Sequence, residues 1–376
     1  MKVVSLITSE GKTRYMLVNS DNEPISVVLK YLKFKDNNSA ARNSLRSYCH
    51  HLKLFFEYLR QEQLDYGQVG IDEMAAFVRW LQNPYCNNKI ISLEPFISPR
   101  KPVTINTIIS TVLNFYDYLM RHQDYNINLS ERLKKNISGS RRGFKDFLYH
   151  INKDKFYKAK ILKIKTLKSK PKTITKEQVK NVIDNCVNIR DKFLIQLLWE
   201  SSIRIGEALA LWLEDFEVDA CRIHIRDRGE LSNHAEIKTI CSPRSLDVSP
   251  NLINLFFDYI SMCHTDEVDT NHVLIKLSGK YKYEPLEYQD VASLFRRLKL
   301  KTGLDITPHT LRHSSLTELF RAGWKPEHIQ KRAGHAYYQS VVKMYIHPSD
   351  EDLRREWEKV ENIMTFDGFQ KGYYND

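Results

Sequence analysis

The chain has 376 residues, 42% of them hydrophobic, and a formal net charge of +11. It is long enough to bury two ordinary cores, and no apolar run reaches the length of a membrane span, so the expectation is a soluble, cytoplasmic protein of two domains. The six cysteines, Cys49, Cys86, Cys186, Cys221, Cys241 and Cys263, lie no closer than 20 residues apart, which argues against a CxxC zinc site and a compact disulfide scaffold and for reduced, structural thiols.

Residues 1–23 read as an N-terminal extension. From 24 to 134 apolar residues recur at helical spacing, in Leu45, Tyr48, Leu52, Phe55, Phe56 and Leu59, in Met74, Phe77, Val78 and Leu81, and in Ile105, Ile108, Ile109, Val112, Phe115 and Leu119. This predicts a small helical bundle. Asp72 and Thr104 are the predicted N-caps, with Pro84, Pro95, Pro99 and Pro102 punctuating a long loop before the last of these helices.

The charge is concentrated in one place. Between Lys134 and Lys172 there are 14 Lys or Arg against two acids, which leaves the rest of the chain close to neutral. Residues 135–172 therefore read as a basic interdomain linker. The aromatic residues interleaved in it, Phe144, Phe147, Tyr149, Phe156 and Tyr157, suit a segment lying along a phosphate backbone, with Arg141, Arg142, Lys153, Lys163, Lys165 and Lys168 as candidate contacts.

After the linker, ITKEQVKNVIDNC and RDKFLIQLLWESS read as helices, and CRIHIR, AEIKTI and RSLDVS as strands of a small antiparallel sheet. Helical patterns return in NLINLFFDYI, DVASLFRRLK, TLRHSSLTELFRAG and PEHIQKRAG, and the tail from 351 to 376 begins helically. The fold class is mainly α with a small antiparallel β-sheet in the second domain, 173–350. The segment from 309 to 336, with Gly323 between two helices, has a helix-turn-helix look that would suit a DNA-reading module, but it reads better as a scaffold for the residues named next.

The chemistry-bearing residues lie in this second half. Breaking a phosphodiester without a metal needs a nucleophile, cationic donors for the non-bridging oxygens and an acid for the departing oxygen. Arg204 in RIGEAL, His309 and Arg312 in PHTLRH, His335 after Gly334, and Tyr345 in YIH supply these types in order. Taken one at a time they say little, because an H-x-x-R pair is common in a basic chain and Arg204 could simply pair with Glu207.

As an ordered set, these boxes resemble the tyrosine recombinases, also called phage integrases. The resemblance is strong from Thr173 to Ser349. The interval from His335 to Tyr345 is one residue longer than in most members and resembles the transposase A branch of site-specific transposons, and Ala333 stands where most members have Leu.

The resemblance implies a two-domain DNA clamp, with Tyr345 as the nucleophile forming a 3′-phosphotyrosine, Arg204 and Arg312 gripping the scissile phosphate, and His309 and His335 assisting proton transfer. It places the general acid at Lys238. Arg244 competes for that role, but its high pKa makes it a poor proton donor. The implied partners are double-stranded DNA, further copies of the chain in a tetrameric synapse, and accessory recombination proteins, with no cofactor. Three other readings stand beside it: a non-catalytic DNA-binding protein on the same fold, a type IB topoisomerase, and a metal-dependent transposase with three carboxylates, for which no acidic framework is recognisable.

Overall fold

The structure is a computed structural model that describes residues 1–83, 98–122, 162, 164–166, 172–237, 241–334, 354 and 358, and the backbone of 134–138 and 156–160. It divides into two compact units, Met1–Lys168 and Ser169–Asp376.

The first unit opens with a hairpin of β1 (Lys2–Ile7) and β2 (Thr13–Val18), paired from Lys2 opposite Val18 to Ile7 opposite Thr13. Four helices follow: α1 (Ser26–Asn37), α2 (Arg42–Gln61), α3 (Ile71–Gln82) and α4 (Pro102–Arg121). Nearly all the apolar residues of the predicted stripes are buried in one core, where Phe55, Phe77, Phe115 and Tyr116 are fully enclosed and meet edge-to-face. Leu17 of the hairpin belongs to that core, so the expected extension is packed onto the bundle.

Two helix starts differ from the expectation. α3 is capped at Gly70, whose N–H donates to the Glu73 carboxylate at 2.7 Å, so Asp72 lies inside the first turn. α4 starts at Pro102, because a proline costs a first-turn position no hydrogen bond, and Thr104 is already helical.

Within the predicted linker, β3 (Lys134–Ser138) pairs antiparallel with β4 (Phe156–Lys160). Beyond it the chain is fastened to the bundle. The Asn106 side chain donates to the Ile164 carbonyl and accepts from the Ile164 N–H, both at 2.9 Å, while Leu162 and Ile164 pack on the core. Asn106→Ala is expected to remove about 1–3 kcal/mol of local stability and to speed tryptic cleavage at the exposed Lys165, which a digestion time course reads directly.

The second unit is built on α5 (Lys176–Asp184), α6 (Ile189–Ser201), the short α7 (Ile205–Leu209), α8 (Pro250–Cys263), α9 (Tyr288–Thr302), α10 (Pro308–Arg321) and α11 (Pro326–Ala333). α6 lies at the centre, with nearly every apolar side chain buried, as expected of a helix covered all round. The sheet has the order β5 (Phe216–Glu217), β6 (Arg222–Ile225), β7 (Arg244–Asp247), all antiparallel.

The strand expected at AEIKTI is absent from 235–237, and the third strand comes from β5. The reason is side-chain bonding. Asn233 donates to the carbonyls of Leu209 and Leu286 at 2.9 and 3.1 Å and accepts from the Ala235 N–H, which holds this backbone off the sheet ladder. Among the described residues no helix is long and apolar enough to cross a membrane.

Candidate active site

Arg204 stands at the start of α7, where the chain emerges from α6 through Ser202 in a left-handed conformation, φ 56°. Beyond that turn Arg204 reaches the end of α11 and Glu207 lies against Arg312 of α10. Glu207 is 1% exposed and accepts on one carboxylate from several donors. Arg204 donates its backbone N–H to Oε2 at 2.8 Å and its Nη1 to Oε1 at 2.9 Å. Arg244, from β7, donates Nη2 to Oε2 at 3.0 Å and Nη1 to Oε1 at 3.2 Å. Nη1 of Arg312 lies 4.0 Å from Oε2.

Burial disfavours the charged form of Glu207, but the bonds and charge of Arg244, the Arg204 N–H and the charge of Arg312 outweigh it and hold the carboxyl below its ordinary value.

Arg312 sits in the buried middle of α10, itself 2% exposed, and spans two other elements. Its Nη1 donates to the Ser202 carbonyl at 2.5 Å and its Nη2 to the Ala333 carbonyl at 2.6 Å. Nη2 of Arg204 reaches the next carbonyl, Gly334, at 3.2 Å. The two arginines, 108 residues apart in the chain, are thus held on successive carbonyls at the end of α11, immediately before His335. An arginine has five N–H donors in a rigid, permanently charged fork, a geometry that matches the paired oxygens of a phosphate.

Two glycines are required by this geometry. Gly334 closes α11 with φ 60°, and a Cβ there would lie 2.8 Å from Nη1 of Arg244. A Cβ on Gly206 would lie 2.7 Å from the Glu236 carbonyl oxygen, so the segment that leads to Lys238 runs directly against α7.

His309 is exposed in the first turn of α10 and shares a 2.7 Å Nε2–Nε2 hydrogen bond with His313, one turn further on. Burial, followed by the charges of His309 and Arg312, pushes His313 down to about 4. An unfolded histidine takes its proton near 6.5, so between these values the unfolded chain binds more protons. The stability contributed by neutral His313 is complete above about pH 6.5 and is lost as the pH falls towards 4. Urea denaturation followed by tryptophan fluorescence is expected to show a lower midpoint at pH 5 than at pH 7, with a smaller difference in His313→Gln.

Of the predicted site residues, Arg204 and Arg312 come together and His309 lies one turn from Arg312 on the same helix. Lys238, His335 and Tyr345 lie outside the described residues, as do Arg141, Arg142, Lys153, Lys163, Lys168 and most of the tail. Arg244 is the residue that sequence reasoning undervalued: weighed only as a proton donor, it is in fact a second bidentate partner of Glu207. α10 is buried from Thr310 to Leu316, as a helix that holds Arg312 within the unit.

Both units resemble known proteins. Residues 172–352 match the phage integrase family, and residues 29–123 match the phage integrase N-terminal SAM-like domain. The chain is 36% identical over 345 residues to transposase A from transposon Tn554 of Staphylococcus aureus, covering 92% of this chain and 93% of that protein. It is 27% identical over 202 residues to tyrosine recombinase XerA of Pyrococcus horikoshii, covering 54% of this chain and 65% of that one.

Among solved structures, the integrase of transposon Tn1549 in complex with transposon right end DNA superposes with a TM-score of 0.57 at 17% identity, covering 89% of this chain and 98% of that chain. With two matched domains and a near full-length relative at this identity, the chain belongs to the phage integrase family, the tyrosine recombinases.

Proposed function

We propose that the chain is a site-specific recombinase of a mobile element that cuts and rejoins double-stranded DNA through a 3′-phosphotyrosine on Tyr345. The observation that carries this reading is the seating of Arg204 and Arg312 on the adjacent carbonyls of Gly334 and Ala333, around the buried Glu207. Two fixed, permanently charged forks side by side suit the non-bridging oxygens of one phosphate, whose charge builds as a nucleophile attacks.

In the reaction, the Tyr345 oxygen bonds to phosphorus and the bond to the 5′-oxygen breaks. That oxygen takes a proton from Lys238, while His309 and His335 hydrogen-bond the phosphate and move the tyrosine proton. The phosphotyrosine bond keeps the energy of the phosphodiester, so a 5′-hydroxyl can reverse the step without ATP, and the chemistry proceeds in EDTA. The near full-length similarity to a transposase supports transposition as the setting.

The second unit carries the chemistry, on a catalytic domain over 173–350. The basic stretch with Arg141, Arg142, Lys153, Lys163, Lys165 and Lys168 contacts phosphates without reading sequence, so affinity falls steeply with salt. Four copies assemble on two duplexes, with accessory proteins, and the residues after Asp350 dock on a neighbouring copy. Deleting them should abolish cooperative DNA binding while leaving single-site binding.

A suicide-substrate assay tests the central reading. With a nicked duplex from the junction of the encoding element and EDTA present, the wild-type chain should give a DNA-linked protein band that disappears in Tyr345→Phe. A band that survives the substitution would assign the nucleophile elsewhere. Specific binding with no band would point to a non-catalytic DNA-binding protein.

A further inference from the structure

Arg244 is a second buried cation of this site. Its side chain is 7% exposed and ties together three separate pieces of the second unit. Toward α7 it holds both oxygens of Glu207, the carboxylate that also receives the backbone N–H and the side chain of Arg204. Toward α11 its Nε donates to the Arg332 carbonyl at 2.7 Å, one residue before the Ala333 carbonyl that seats Arg312 and two before the Gly334 carbonyl that seats Arg204. Toward its own strand, Nη1 donates to the Ser242 carbonyl at 2.5 Å. A Cβ on Gly334 would lie 2.8 Å from Nη1 and 3.1 Å from Cζ of this guanidinium, so the end of α11 approaches it closely.

A surface ion pair needs none of this. A guanidinium buried on a carboxylate and two main-chain carbonyls is a rigid brace, and the parts it braces are those that aim Arg204 and Arg312. We propose that Arg244 is a positioning residue for phosphoryl transfer: it fixes the Glu207 carboxylate and the end of α11 in one register, so that Arg204 and Arg312 meet the same phosphate. The proposal rests on the reading of those two arginines as the phosphate grip. Arg244 itself touches no substrate atom. A displacement of about 1 Å at the reacting centre costs on the order of 10²-fold in rate, which sets the scale of the effect.

Arg244→Lys is the informative substitution. Lysine keeps a positive charge for the buried Glu207, so the fold is retained, but its single ammonium cannot span Glu207, Ser242 and Arg332 together. Its covalent cleavage rate is compared with wild type and Arg204→Ala on two nicked duplexes, one with the natural scissile phosphodiester and one with a methylphosphonate at that position. A methylphosphonate has lost the charged oxygen that the arginines serve, so any defect that acts through them shrinks on it.

The expected result is a loss of about 10- to 100-fold for Arg244→Lys on the phosphodiester that contracts to within a few-fold on the methylphosphonate, in parallel with Arg204→Ala. Non-covalent DNA binding should stay near wild type, and the thermal midpoint should fall far less than in Glu207→Ala, because the charge partner of Glu207 is kept. If Arg244→Lys is equally impaired on both substrates while the Arg204→Ala defect contracts, Arg244 does not work through the phosphate grip and the proposal is overturned. If the Arg204→Ala defect does not contract either, the phosphate-grip reading itself fails and the proposal falls with it.

Discussion

Glu207→Ala is expected to be the most destabilising single substitution in the second unit, at about 3–5 kcal/mol. Glu207 is 1% exposed and holds Arg204 and Arg244 directly, with Arg312 at 4.0 Å. Without the carboxylate, two buried guanidiniums and one that is 22% exposed face each other with no counter-charge. Removing one member of a buried charged group costs more than the group contributed, because its partners stay behind desolvated.

α7 loses its cap as well, since Glu207 accepts from the Arg204 N–H at 2.8 Å. A thermal melt should show a drop on the order of 10 °C. Glu207→Gln, which keeps the shape and one acceptor, should fall between the two. A Glu207→Ala protein as stable as wild type would mean that the arginines repel one another less than their spacing implies.

The second large effect concerns activity, and it separates two residues that the sequence treats alike. Arg204→Ala is expected to lower the cleavage rate by roughly 10²–10³-fold, the usual loss when one fixed donor to a developing oxyanion is removed. Its stability should fall by only about 1–2 kcal/mol, because its side chain is 22% exposed and Arg244 still neutralises Glu207.

Arg312→Ala should lose at least as much activity and unfold far more easily. Its guanidinium is buried and satisfies the carbonyls of Ser202 and Ala333, which would be left without these bonds beside a new cavity. Single-turnover cleavage on the nicked duplex, paired with urea denaturation of the same preparations, distinguishes the two. Equal stability losses would show that burial does not separate their roles.

Much of the molecule was legible in the chain itself. The stripes from Leu45 to Leu59 and from Ile105 to Leu119 predicted α2 and α4, because a helix repeats its buried face every three to four residues and that period is written locally. The helix read at ITKEQVKNVIDNC is α5, whose start is closed by Thr175 and Gln178 in a capping box. The order RIGEAL, PHTLRH, GH and YIH was enough to recognise the family, because the chemistry fixes residue type and sequence preserves order.

Tertiary structure decided the rest. Nothing local in AEIKTI says that its first residues leave the sheet, because Asn233 is drawn away by the carbonyls of Leu209 and Leu286 from other parts of the chain. Nothing local gives Arg244 its place either, since its partners Glu207 and Arg332 lie 37 and 88 residues away. The seats of Arg204 and Arg312 on Gly334 and Ala333 are 130 and 21 residues distant. The sequence by itself determined most of the helices, though not α1, and which chemical groups are available, because those depend on neighbours within a few residues. Which arginine is buried, which carboxylate gathers them and why two glycines can have no side chain were decided only when distant segments packed, because a hydrogen bond to a backbone carbonyl leaves no mark on the identity of the residue that offers it.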